Sequence, residues 1–385
     1  MCVRASTIPA GTDIQIRLST AISSATGKVN DPFSAVVIAP VVAKDRIVMV
    51  PHVVVTGKIA SITPAKTDDD AIVLTPAFTG IHDDQGHSAA LAARLTSIDN
   101  AREKVNDQGQ IVGIQVKDTL SWRLDQGISK LSDQYSQFAG LLSTAKSAIL
   151  KKTDPNIVFA PGAEMTIRLT KPLVWAGSAA MPPIGDIQPA DTLAAIVNAE
   201  PFRTLTDRTN VPSDVTNLMF IGSRETVEKA FHDAGWSAAT RLDEMSKFQT
   251  FQAMAEMRGY QEAPVSVLLL NGRPPDLVFE KLNDTFSARH HLRIWHMPQT
   301  FNGAQVWVCS ATHDTGISFS EEQRTFIHRV DSDIDHERAK VVSDLLFTGE
   351  VRGLALVERD SVPRSTLNGT GDRIDTDGRM AVIEF

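Results

Sequence analysis

Cysteine is almost absent from the chain. Cys2 and Cys309 are the only two in 385 residues, too few for a disulfide framework or a cysteine-based zinc site. Long apolar runs are missing too, so no segment is expected to span a bilayer. No charged stretch followed by an apolar core opens the chain, and no signal peptide is expected in it as it stands. Basic clusters are lacking, and 38 Lys and Arg against 46 Asp and Glu leave a net charge of −8. That balance argues against a nucleic-acid surface. The signatures of several chemistries are also absent: no HExxH or HxH for a metal, no GxSxG elbow for a nucleophilic serine, no phosphate-binding or dinucleotide fingerprint.

What is present fits an ordinary globular protein with room for more than one domain: 42% hydrophobic and 22% charged residues. Ile14, Ile16 and Leu18 alternate with polar residues, as in a half-buried strand. Further apolar runs at 33–42, 46–62, 71–78, 89–98 and 110–116 are punctuated by Gly, Pro, Asn and Asp. Such spacing predicts an all-β barrel or sandwich over residues 1–175. Within it, Leu124, Ile128, Leu131, Tyr135, Phe138, Leu142, Ala145 and Ile149 step by four and three, predicting a long heptad helix at about 122–152. Its stripe either lies on its own domain or makes a homo-oligomer. After it, FAPGAEMTIRLTKPL from Phe159 echoes IPAGTDIQIRLSTAI from Ile8, matching Gly162 to Gly11 and Ile167-Arg168-Leu169 to Ile16-Arg17-Leu18.

Residues 176–213, rich in Pro, Ala, Gly, Asp and Thr, read as a linker. From 214 to 385 a second domain is expected. Leu218–Ile221 is a strand, Gly222 a turn, and Ser223 a cap for a helix carrying Val227, Phe231 and Ala234. A further helix through Leu242, Met245, Phe248 and Met257 precedes strands at 265–270, 291–295, 306–311 and 326–330. Another helix starts near Asp331, and a strand follows at 353–357. The expected class is α+β, with the second domain a two-layer α+β fold.

The segment His290–Arg338 concentrates the chemistry. It holds His290, His291, His296, His313, His328 and His336, together with Trp295 and Trp307. Alternation places His291, Arg293 and Trp295 on one strand face and His290 on the other. Trp307, Cys309 and His313 are expected to share a face of a neighbouring strand. His313, Asp314, His328 and Asp331 form a metal-site candidate, weighed against histidines satisfied by backbone. Arg293 and Arg338 beside His291 and His313 offer an anion site, weighed against an Arg–Asp network with Asp333 or Asp335. Asp331, Asp333 and Asp335 have the opening spacing of a calcium loop, but His336 and Val342 stand where Gly and Glu belong, so helix capping is the better reading.

IGSRETVEKAFHDAGW, LLLNGRPPDLVFEKL, RHHLRIW, GAQVWVCSATHDTGI and HRVDSDIDHER, in this order, resemble the LssY C-terminal domain family. Cys309 stands where the family favours a small residue, so the resemblance gives no shared role to the thiol. The family occurs alone or fused to membrane domains of the DedA and lipid-phosphatase kinds. The resemblance therefore implies a bacterial cell envelope and no defined reaction. More weakly, the first half is similar to envelope β-domains that begin with an IPAGT motif. Membrane association would come from an N-terminal lipid on Cys2 or from an upstream segment.

The leading expectation is a binding or accessory module with no required cofactor. It would present His291, Arg293, Trp295, His313, Asp314, His328 and Arg338 to an anionic or lipid-derived ligand. The alternatives are a phosphate-ester hydrolase using a divalent metal or a His/Asp pair, and an oligomeric scaffold built on the 124–149 helix. Whether the chain is an enzyme stays open at this level.

Overall fold

The computed structural model describes residues 5–44, 46–116, 154–181, 183–207, 209–238, 267–281, 289–320 and 325–385, with backbone only at 316–320 and 325–329. The heptad segment 122–152 and the helix expected through Leu242 to Met257 lie outside these residues. The described chain is mostly β with few helices, where α+β was expected for the whole. Its described residues fall into two compact units that divide between Met181 and Pro182.

The first unit is a nearly closed antiparallel barrel. In chain order its strands are β1 (Asp13–Leu18), β2 (Pro32–Val37), β3 (Val54–Thr63), β4 (Val73–His82), β5 (Ser88–Ala90), β6 (Ala93–Ile98), β7 (Lys104–Val105), β8 (Ile111–Val112) and β9 (Glu164–Leu169). They are ordered β6-β9-β1-β2-β3-β4-β8-β7, with β5 beside β4. Inward-facing Ile14, Ile16, Val55, Ile59, Leu74, Leu95 and Ile167 are buried in one core, as the period-2 patterning requires. Gly57 faces Phe33 across β2 and β3. A Cβ there would sit 2.3 Å from the ring, so only glycine admits the aromatic.

The two IRL repeats are neighbours. β9 pairs antiparallel with β1, with Thr166 opposite Gln15 at the centre. Every flanking interaction then occurs twice. Gly11 N–H donates to Leu169 O and Gly162 N–H to Leu18 O, each at 2.8 Å. Arg17 pairs with Glu164 at 2.8 Å, and Arg168 with Asp13 at 2.7 Å. The repeat is thus a local pseudo-twofold across one strand pair. Gly11 and Gly162 take φ of +87° and +100°, the left-handed turn that launches each strand.

The second unit is built on a larger sheet. After α1 (Ala190–Ala199), β10 (Arg203–Thr206) and β11 (Pro212–Val215) come β12 (Leu218–Ile221), α2 (Arg224–Asp233), β13 (Trp236–Ala238), β14 (Leu277–Lys281), β15 (Arg289–Phe301), β16 (Ala304–Ser320), β17 (Thr325–Val330), α3 (Ile334–Phe347), β18 (Gly353–Glu358) and β19 (Arg379–Glu384). The sheet runs β13-β14-β15-β16-β12-β19-β18, with β17 beside β16. Much of 176–213 is therefore not linker: α1, β10 and the first half of β11 occupy it, because a Pro- and Ala-rich stretch still carries Leu193 and Val197 on one helix face.

The sheet has a core on each side. Leu218, Phe220, Leu292, Ile294, Trp307 and Cys309 pack against Val227 and Phe231 of α2 and Val341 and Leu345 of α3. Met219, Ile221, Trp295, Val306 and Val308 face the other way, with Leu193 and Val197 of α1. As expected, Ser223 caps α2 by accepting from Thr226 N–H at 3.2 Å, and Gly235 follows the helix at φ +84°.

Candidate functional site

The β15–β16 hairpin sets the site. Its two-residue turn is Asn302-Gly303, with φ of +50° and +81°, the combination a tight hairpin needs. Phe301 therefore pairs with Ala304, and the ladder carries His290 opposite His313, His291 opposite Thr312 and Arg289 opposite Asp314. Residues that pair across an antiparallel ladder share a face. His313 accordingly lies with His290, while Arg289, His291, Arg293 and Asp314 lie together on the other side.

That second face holds a dense set of buried ionisable groups. Arg289 reaches Asp314 at 3.2 Å, and His291 Nδ1 lies 3.7 Å from the same carboxylate. The other ring nitrogen of His291 is 3.0 Å from the Thr312 hydroxyl. Arg293 pairs with Asp214 of β11 at 3.3 Å, and the Ser310 hydroxyl donates to Val215 O at 3.0 Å. Arg289, His291, Arg293, Asp214 and Asp314 are each no more than 5% exposed.

Burial sets the electrostatics. Desolvation pushes the Asp314 carboxyl up to about 6, against the pull of Arg289. It raises Asp214 against the pull of Arg293, and it lowers Arg293. The charge of Arg203 also lowers Asp214, and that of Asp372 raises it. Charges held this far from water are costly unless paired, and groups shifted this way cluster at functional sites more often than elsewhere.

Not all the expected residues gather here. Trp295 shares the face but is a core residue, 1% exposed, its indole N–H donating to Arg273 O at 3.0 Å. His313 stacks on His290 with ring centroids 4.1 Å apart, and His290 Nδ1 lies 2.7 Å from Glu337 of α3. Arg338 is on α3 as well, held by Asp335 at 2.9 Å and Asp377 at 2.8 Å, the Arg–Asp network foreseen for it. His328 lies on β17 with its backbone opposite Ile317. Asp331 donates its N–H to His313 O at 2.7 Å. Asp333 caps α3 by accepting from Asp335 N–H at 3.1 Å. His313 and Asp314, two of the four metal candidates, thus project to opposite faces of the sheet. Among the described residues no three His, Cys, Asp or Glu side chains are placed to hold a metal. Cys309 is fully buried, and burial pushes its thiol well above the ordinary range, so it is no ready nucleophile.

Two members of the cluster escaped the sequence reading. Arg289 continues the alternation of His291 and Arg293 and was legible as their neighbour. Asp214 lies 79 residues from Arg293, and nothing local links them. The Asn302-Gly303 turn was the signal that would have parted His313 from His291.

Residues 198–380 match the model of a family described as LssY C-terminus, in agreement with the resemblance carried by the second half. The chain is also similar to the structure of ComB10 of the Com type IV secretion system of Helicobacter pylori. That likeness has 14% identity and a TM-score of 0.25, over 44% of this chain and 89% of that one. No curated protein matches the chain. No described helix is long and apolar enough to cross a membrane.

Proposed function

Because residues 198–380 match the LssY C-terminus family, we propose that this chain is an accessory protein of the bacterial cell envelope whose second half binds an anionic, phosphate-bearing or lipid-derived ligand. The observation that carries this reading is the buried set of Arg289, His291 and Arg293 against Asp214 and Asp314 on one sheet face. A guanidinium in such a place binds an anion through paired, charge-assisted hydrogen bonds. Asp314 acts as an internal stand-in for that anion.

The reading has a pH signature. Asp314 takes up a proton as pH falls through about 6. The negative charge that competes with an anion for Arg289 and His291 is then neutralised, so anion affinity rises as pH falls from 7.5 to 5.5. Titration of the full chain with inorganic phosphate and with vesicles containing phosphatidic acid, by calorimetry, tests this. Wild type is expected to bind one or both, Arg293→Met to lose most of that binding, and Asp314→Asn to bind with a flattened pH profile. Absence of binding to either probe at pH 5.5, in protein shown to be folded, removes the reading.

A second reading rests on the same carboxyl. Asp314 near 6, with His291 at 3.7 Å, lies in the range of a general acid or base, which keeps a phosphate-ester hydrolase in view. Turnover of a chromogenic phosphate ester that disappears in Asp314→Asn would separate it from simple binding.

A further inference from the structure

We propose that the barrel carries a ligand site of its own, for a neutral saccharide, in the half-open groove of about 490 Å³ lined by Asp13, Gln15, Thr96, Ser97, Thr166 and Arg168 and walled by Ala39, Pro40 and Val41. The site lies on the pseudo-twofold strand pair β1–β9, and the comparison between its two ion pairs makes the case. The two pairs are equivalent by sequence repeat and by register. Arg17–Glu164 is sealed, with side chains 10% and 9% exposed. Arg168–Asp13 is open, at 43% and 44%, and it forms one end of the groove. One copy of the motif closes the structure and the other is displayed.

The displayed pair is bidentate. Arg168 Nε and Nη2 donate to the two Asp13 oxygens, each at 2.7 Å. Arg168 keeps N–H donors beyond those two, and both Asp13 oxygens keep lone pairs. Donors and acceptors therefore stand side by side in one plane, the complement of a pair of neighbouring hydroxyls, each of which gives and takes a hydrogen bond. Around them, Gln15, Ser97 and Thr166 make no side-chain hydrogen bond to other described residues, while the Thr96 hydroxyl donates to Thr166 O at 3.0 Å. One cation against one anion leaves the lining without net charge, so it selects for hydrogen-bonding capacity rather than for an anion. Ala39 and Pro40 supply an apolar wall for the C–H face of a sugar ring. The volume lies within the range of small-molecule sites, roughly 300–1,000 Å³. This inference is independent of the second half of the chain.

The test uses the full chain on a microarray of neutral and acidic oligosaccharides, with the strongest neutral glycan then titrated by calorimetry. Gln15→Ala and Arg168→Ala probe the groove, Lys58→Ala is a control outside it, and far-UV circular dichroism checks each fold. The expected result is a neutral glycan bound by wild type and by the control, with affinity reduced about tenfold or more in both groove variants. Should Arg168→Ala fail to fold, the exposed Gln15→Ala decides alone. No neutral glycan above background, unchanged affinity in the groove variants, or a preference for acidic glycans or inorganic phosphate that depends on Arg168 would each overturn the proposal.

Discussion

Glu200 follows the last residue of α1 and is 6% exposed. Burial raises its carboxyl to about 7, opposed by Arg359, which is itself 1% exposed and lowered to about 10 by desolvation. The two side chains do not bond. Arg359 instead donates to Glu200 O at 2.8 Å and to Thr216 O at 2.9 Å, leaving Glu200 Oε1 and Arg359 Nε without partners among the described residues. A carboxyl whose folded-state pKa lies above its unfolded value stabilises the fold below about 4.5, and that stability is lost as pH rises through about 7. Between pH 5 and 8.5 its contribution falls by on the order of 2 kcal/mol. Urea unfolding at both pH values is expected to show a smaller difference for Glu200→Gln than for wild type. Equal differences would mean that Glu200 ionises freely. The same residue-scale reasoning covers Asp314, whose protonation governs the anion titration described above.

At the scale of elements, the β1–β9 pair offers an internal comparison of buried and exposed ion pairs. Glu164→Gln removes the buried carboxylate that pairs with the Arg17 guanidinium, at a cost of about 3 kcal/mol. Asp13→Asn breaks the equivalent pair in a groove open to water, where screening and side-chain freedom leave little to lose. Chemical unfolding of the two variants is expected to show a large loss for the first and a small one for the second. Similar losses would contradict the assigned burial. The hairpin that carries the ionisable cluster is an element-scale device too. Had its loop been one residue longer without a compensating bulge, every side chain of one strand would exchange faces, and Asp314 would leave Arg289 for the α3 side.

At the scale of the whole molecule, the hydrophobic clusters respect the division of the chain. The barrel core contains only residues up to Trp175, and the other clusters only residues from Ile187 onward. Each unit thus has its own core, and the segment 182–385 expressed alone is expected to unfold cooperatively in urea with a native-like circular dichroism spectrum. A non-cooperative, molten product would show that its stability depends on the first 181 residues.

The local units follow from short stretches of the amino-acid sequence. Alternation at Ile14–Leu18, the Gly222-Ser223 turn and cap, and the IRL repeat each act within a few residues, where backbone geometry and one-sided burial leave a single solution. The acidic run at Asp331 was legible as a helix start for the same reason. Which charges meet depends on the folded arrangement of distant strands. Arg17 and Glu164 lie 147 residues apart, and Arg293 and Asp214 lie 79 apart. Their pairing follows from strand order and from the packing of a small sheet on a large one, which no local pattern encodes. The same holds for the separation of His313 and Arg338 from Arg293. All three are polar residues of the chain's richest segment, but a β-sheet sorts alternate residues to opposite sides, and α3 packs with α2 on the side away from Arg293.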